Sequence, residues 1–445
     1  MIEKNQELEV EIEGVGSEAQ GIARKDGFVI FVPFALVGEI VRVHIIKVTK
    51  SYAVGKIVEF IKKSSQRVVP SCEVYGKCGG CSLQHSTYQE ALKIKKQIVT
   101  DAIYKIGGFQ GQLIEDVVAS NYYYNYRNKA SFPLFVNNEG NLEICMFRGL
   151  SHDPVYIADC VITISQINIV AGLFKEFVNC EYSLKQKEKL KHLVIRFIEG
   201  KLLITIVSQE KPSKSDVFAD AVLNKLKLTE NMVGIYWCKK ISDNNVILDG
   251  DFYHLFGIKN ITVDILGITT EVAPISFFQV NLDIMQKIYN EVLLNVDDEV
   301  VVDAYSGAGL LSALISKKAK TVYGIEIVKE ATKNADSLKK SNNIENLYNI
   351  NGDVSQKLPM LINEIGNNFT LVLDPPRKGV DEKVVETIKG VMPKKILYVS
   401  CNPASLARDL KGICASGYKI EKIKPFDMFP QTSHVETFVI LKKNF

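Results

Sequence analysis

A chain of 445 residues exceeds what one hydrophobic core serves, so two or three domains are expected. With 47% hydrophobic and 24% charged residues it is composed like a globular protein rather than a disordered one, and a net charge of +3 singles out no partner by itself. Nine cysteines, odd in number and unevenly spread, do not make a secreted disulfide framework and point to metal binding or catalysis.

No run of 18 apolar residues occurs, and the opening MIEKNQELEVEIEG lacks the basic-then-apolar order of a signal peptide. A cytoplasmic protein with no membrane association is expected, and no obligate protein partner is evident. Residues 8–60 read as short alternating strands (LEVEIEGV, GFVIFVPF, EIVRVHIIKV, YAVGKIVEF) broken by glycines and Pro33, the pattern of a small β-barrel. Between Arg42 and Arg67 seven basic residues, Lys47 and Lys50 among them, face only Glu59, which makes a candidate phosphate-facing patch.

The segment CEVYGKCGGCSLQH then sets Cys72, Cys78 and Cys81 close together. STYQEALKIKKQIVTDAIYKI follows with apolar residues at helical spacing and is closed by Gly107 and Gly108. From about 113 to 260 strand patterns dominate (KASFPLFVN, LEICMFRG, HLVIRFI, KLLITIVSQ, MVGIYWC), predicting a mixed α+β central domain. Beyond 261, buried β runs alternate with helical segments, which predicts a doubly wound, mostly parallel sheet binding ligands at its strands' carboxyl ends. The expected domains are 1–62, 63–260 and 261–445, with helix 86–107 a candidate to pack on the last.

VVDAYSGAGLLSALI is a strand, a tight turn through Gly307 and Gly309, and a helix; the glycines allow a ligand close to the backbone. Asp303, Glu326, Asp353 and Asp374 fall at four successive strand ends, and Glu326 is placed to accept a ribose's hydroxyls. The turn lacks the full dinucleotide fingerprint and resembles that of class I S-adenosylmethionine-dependent methyltransferases. Asp374-Pro375-Pro376 resembles the turn of nucleic-acid methyltransferases, but the next residue is Arg377 rather than a base-stacking aromatic, so a ring carbon is a better target than an exocyclic amine.

ILYVSCNPASLARDL delivers Cys401 on a strand, with Asn402 as N-cap and Pro403 opening a helix. The helix dipole is expected to favour its thiolate, the form a nucleophile needs. Thiolate addition at carbon 6 of a uracil would activate carbon 5, and a base must then remove the carbon-5 proton. Glu436 is the first candidate for that base and His434 the second.

With SFFQVN, DAYSGAG, DPPRKG, VSCNP and HVETF in this order, the chain resembles the RNA uracil-5-methyltransferase family over nearly its whole length. The resemblance implies donor contacts at Gln279, Tyr305, Glu326 and Asp374, to which Gly307 and Asp353 are added here from the strand-end pattern. It also implies Cys401 as nucleophile and Glu436 as base. The barrel looks like a TRAM domain, an OB-like RNA-binding module of the family's ribosomal branch, which makes 23S rRNA the expected substrate. NYYYNYRNKASF resembles its RNA-facing segment, implying RNA contacts at Arg127 and Lys129. Cys72, Cys78, Cys81 and Cys160 match the ligands of that branch's [4Fe–4S] cluster, although the spacing alone leaves a structural zinc open, with His85 an alternative fourth ligand. Two rivals stand beside this reading: the same chemistry on the T-loop uridine of tRNA, and a non-catalytic RNA-binding iron–sulfur protein.

Overall fold

Alternating strands turn every second side chain inward, and the N-terminal sheet closes on that inner set. In the computed structural model, which describes residues 2–211, 216–242, 244–296 and 299–443, six strands form one sheet. The Glu7–Glu11 strand pairs with Ile40–Val48 at one edge, and the chain runs on into Gly14–Val15, which pairs with Gly21–Lys25 at the other. The Glu13 N–H bond to Ile22 O joins the two halves and closes a barrel around Val10, Ile12, Ala23, Ile30, Val32, Val41, Val43 and Ile45.

The basic patch is smaller than the sequence suggests, because two of its members are engaged. Arg67 grips the fully buried Glu39 through Nε at 2.6 Å and Nη2 at 2.7 Å, and Arg42 pairs with Glu59. Burial pushes the Glu39 carboxyl up, but hydrogen bonds from Arg67 and the Leu36 and Ser64 amides outweigh it, leaving the group below its ordinary value. Lys47 and Lys50 remain exposed, with Lys56, Lys62 and Lys63.

Helix Tyr88–Asp101 begins where Thr87 caps the Glu90 amide. It buries two stripes. Ala91, Ile94 and Ile98 meet Leu36 of the barrel and Leu83 of the cysteine segment, while Val99, with Ala102 and Ile103 of the π-helical turn Ala102–Ile106 that continues it, meets Leu410, Ile413 and Ile423. Each buried Ile or Val contributes about 1.5–3 kcal/mol, so this helix joins barrel, cysteine segment and C-terminal sheet.

The central domain carries a seven-stranded sheet in the order Gly250–Gly257, Val233–Lys240, Lys201–Ser208, Leu190–Ile198, Lys129–Val136, Leu142–Phe147, Pro154–Tyr156. Strand signals dominate its sequence, yet helix Ser165–Glu181 also forms, burying Ile167, Val170, Ala171, Phe174, Phe177 and Val178 against the sheet. Their three- and four-residue spacing was the available signal.

The C-terminal sheet runs Leu347–Asn351, Thr321–Glu326, Val300–Ala304, Thr370–Leu373, Lys395–Ser400, Glu436–Lys443, Tyr418–Phe426. The first five strands are parallel, as expected of a doubly wound sheet, and the order reverses between Val300–Ala304 and Thr370–Leu373. Glu436–Lys443 enters antiparallel between Lys395–Ser400 and Tyr418–Phe426. Its first residue therefore lies at the edge where the parallel strands end. No helix among the described residues is long and apolar enough to cross a membrane.

Candidate active site

The turn after Val300–Ala304 is strained where a ligand would need it. Tyr305 has a positive φ of 69° and Gly307 one of 55°, and the Tyr305 and Ser306 amides both bond Ile325 O on the neighbouring strand. A Cβ on Gly307 would meet nothing within 4 Å, so the turn is open there, whereas one on Gly309 would strike Ala335 Cβ at 2.7 Å. Glu326 spans this opening: Oε2 accepts from Gly307 N–H at 3.0 Å and Oε1 from Val328 N–H at 2.7 Å. Each oxygen keeps a second lone pair for a diol.

The four acids do not act alike. Asp303 is buried and accepts from Ser312 Oγ at 2.5 Å, fastening the following helix to the strand instead of facing a ligand. Asp353 caps helix Val354–Ile365, its Oδ1 accepting from Ser355 N–H and Oγ. Glu326 and Asp374 are partly open at the strand ends. Burial raises Asp374 to about 7. Gln279 sits on a segment clamped to the central domain, where Asn128 Nδ2 donates to Gln279 O and Val280 O accepts from Asn128 N–H.

Across the sheet, Ser400 pairs with Thr437, which carries Cys401 and Glu436 to the same end of adjacent strands. Asn402 caps the Ala404 and Ser405 amides as expected and also donates to Arg377 O, tying the Asp374–Lys378 turn to this helix. The dipole does not carry the day, however. Burial, then Glu436, push the Cys401 thiol up to about 11, with Arg377 working against them. Burial and Asp374 push Glu436 to about 8, again opposed by Arg377. Cys401, Glu436, Asp374 and Arg377 are thus within electrostatic reach of one another, and Arg377, read from sequence only as a missing aromatic, is the cation of the group. His434 lies 3.5 Å from Arg377 Nη2, and burial and that charge depress it to about 4. A neutral His434 at its depressed value is a weak base beside Glu436.

Residues 87–444 match the family described as tRNA (uracil-5-)-methyltransferase, and residues 3–58 match the TRAM domain. The chain belongs to the tRNA (uracil-5-)-methyltransferase family. It is an S-adenosylmethionine-dependent RNA methyltransferase with an N-terminal TRAM domain. It is 38% identical to an uncharacterized RNA methyltransferase of Clostridium tetani, covering 99% of this chain and 97% of that protein, and 35% identical to one of Clostridium acetobutylicum, covering 99% and 98%. Its fold is similar to that of the Pyrococcus abyssi tRNA (uracil-54, C5)-methyltransferase in complex with S-adenosyl-L-homocysteine, with a TM-score of 0.77, 24% identity and coverage of 98% of this chain and all of that one.

In this methyltransferase the four cysteines meet although Cys160 is 79 residues beyond Cys81: Cys72, Cys78, Cys81 and Cys160 line one small cavity with Tyr75, Met146 and Ile162. Gly80 N–H donates to Cys78 Sγ at 3.3 Å. Burial raises all three of Cys78, Cys81 and Cys160, Cys81 to about 12. Among the described residues no three His, Cys, Asp or Glu side chains converge as ligands of a single ion. His85 is not part of the cavity lining; it is buried, with Nδ1 2.7 Å from Tyr75 OH.

The methyltransferase's aromatic run divides by position. Tyr122 and Tyr123 are exposed and Tyr126 is buried. Arg127 and Lys129 are half-buried beside Arg196, and burial, then Arg196, depress Lys129 to about 8.

Proposed function

We propose that this methyltransferase makes 5-methyluridine at a specific position of 23S rRNA. The observation that supports the reading is the Ser400–Thr437 register, which sets a thiol and a carboxyl side by side at the end of adjacent strands. S-Adenosylmethionine supplies the methyl group when bound, and Gln279, Tyr305, Gly307, Glu326, Asp353 and Asp374 are the residues that would hold it. Arg377 favours the Cys401 thiolate, working against the burial and the Glu436 charge that raise the thiol.

The thiolate adds to carbon 6 of the uracil, and the electrons of the carbon 5–carbon 6 double bond become available at carbon 5, which takes the methyl group as the methyl–sulfur bond breaks and its electron pair stays on the departing thioether sulfur. Glu436 then removes the carbon-5 proton. The C–H electron pair re-forms the double bond, the carbon–sulfur bond breaks, and Cys401 leaves as thiolate. A carboxyl near 8 is a strong base once ionised, and its burial keeps water from the step.

The four cysteines lining one cavity support a [4Fe–4S] cluster, which four thiolates hold one to each iron, with a structural zinc the alternative. Cys72, Cys78, Cys81 and Cys160 would hold it, and its contribution is structural. Exposed Lys47 and Lys50, with Arg127 and Lys129, are the proposed RNA contacts.

The ribosomal target rests on the joint resemblance of barrel and cysteine set to the ribosomal branch. The Pyrococcus abyssi protein, named for tRNA, shares the fold over 98% of this chain, so tRNA is the second reading. The deciding experiment incubates the enzyme with methyl-labelled donor and either 23S rRNA or tRNA containing 5-fluorouridine. Fluorine at carbon 5 cannot leave as a proton, so a labelled, denaturant-resistant adduct on 23S rRNA that vanishes in Cys401→Ala is expected. An adduct on tRNA alone moves the substrate, and none on either RNA overturns the reaction.

A further inference from the structure

Asp427–Val435, the connection that delivers Glu436, has no regular secondary structure, yet Asp427, Met428, Gln431, Thr432 and Ser433 are buried. A buried loop needs partners for its backbone groups, and this one finds them outside the C-terminal sheet. Gln431, at a φ of 69°, accepts from both the Ser82 and Leu83 amides, at 2.9 and 3.0 Å. These are the two residues that follow Cys81. Tyr126, whose amide bonds Ile162 O two residues from Cys160, donates its hydroxyl to Pro430 O at 3.1 Å. Lys95, fully buried, pairs with Asp427 and donates to Phe429 O at 2.9 Å and His434 O at 2.7 Å.

In the sequence Cys81 precedes and Cys160 follows the strands Lys129–Val136, Leu142–Phe147 and Pro154–Tyr156; the Cys81 side reaches this loop directly through the Ser82 and Leu83 amides, and the Cys160 side through Ile162 O, which holds Tyr126. We propose that the cysteine site is the positioning device for Glu436: by fixing Cys81 and Cys160 together it fixes the Ser82–Leu83 amides and Tyr126 on Gln431 and Pro430, and so sets the carboxylate over carbon 5. The inference rests on the reading of Glu436 as the base. It assigns the site to one step, removal of the carbon-5 proton with return of the Cys401 thiolate, and not to thiolate addition or donor binding.

The test uses the full chain with Cys160→Ser, which removes one ligand, and Ser82→Pro, which keeps all four cysteines but deletes one amide donor to Gln431. Two quantities are read: hydrogen exchange of the 427–435 segment, and denaturant-resistant adduct on RNA containing ordinary uridine. Both variants should exchange this segment at least tenfold faster while the 300–310 segment keeps its parental rate, and both should accumulate adduct that the parent enzyme resolves. Parental exchange and parental adduct resolution in Ser82→Pro would overturn the proposal, and that variant decides the matter should Cys160→Ser fail to fold. If the parent gives no adduct even with 5-fluorouridine, the uracil chemistry has failed instead, while the exchange rates still report on the tether.

Discussion

Ser400 and Thr437 are register partners on antiparallel neighbours in a sheet whose other strands run parallel. Had the last strand run with the rest, Glu436 would lie at the sheet's opposite edge from Cys401. The reversal, made by the buried 427–435 connection, is what places the two groups together.

Proton removal should follow the ionisation of Glu436. Because burial and Asp374 raise this carboxyl to about 8, the active, ionised form grows as pH rises and is nearly complete only above that value. The rate of adduct resolution in single-turnover experiments should rise about tenfold per unit below pH 8 and level off above it. Glu436→Gln should abolish this pH limb and leave the adduct stalled.

Arg377 lowers both Cys401 and Glu436, so its removal should move both upward. In Arg377→Met the pH limb of adduct resolution should shift to higher pH by about half to one unit, the modest size expected of an exposed guanidinium screened by solvent. An unchanged profile with lowered activity would assign Arg377 to RNA contact alone.

Donor affinity should depend on the bridge across the turn. Glu326→Ala removes the acceptor of the Gly307 and Val328 amides together with the proposed ribose contact, and each hydrogen bond to a charged group is worth about 1.5–3 kcal/mol. Calorimetric titration with S-adenosylhomocysteine should show affinity falling at least tenfold, and the urea midpoint should fall too because the two amides lose their acceptor.

RNA affinity should lose salt dependence when exposed barrel lysines are removed. Lys47→Ala with Lys50→Ala should lower the slope of log affinity against log salt by about 1.5–2, with the release of two phosphate contacts. An unchanged slope would place the RNA elsewhere.

Anaerobically purified protein should be brown and contain about four irons per chain, and Cys160→Ser should bleach it. A colourless protein with one zinc would replace the cluster but leave the methylation chemistry standing.

Much of this molecule could be read along the chain because its signals are local. Glycines and alternating apolar residues mark the barrel, the Tyr305–Gly309 turn needs its glycines wherever it occurs, and the Asn402–Pro403 cap is a property of a few adjacent residues. The same locality misled where environment decides. A thiol at a helix N-terminus suggests a lowered pKa, but Cys401 is raised because burial and the carboxylates around it come from other strands. Asp303 fits a row of ligand-facing acids in sequence and instead turns inward to Ser312. Arg67 reads as one more exposed cation until the fold brings Glu39 to it.

By itself the sequence determined the order of domains, the donor turn, the residue types able to run carbon-5 chemistry, and which four thiols were candidates for one site. The fold alone decided that the last strand reverses beside Lys395–Ser400, that Arg377 is the cation acting on both thiol and carboxyl, and that the residues after Cys81 hold the loop before Glu436. The reason is physical: propensity, capping and turn chemistry act over a few residues, whereas register, desolvation and charge pairing depend on which distant segments share a buried volume.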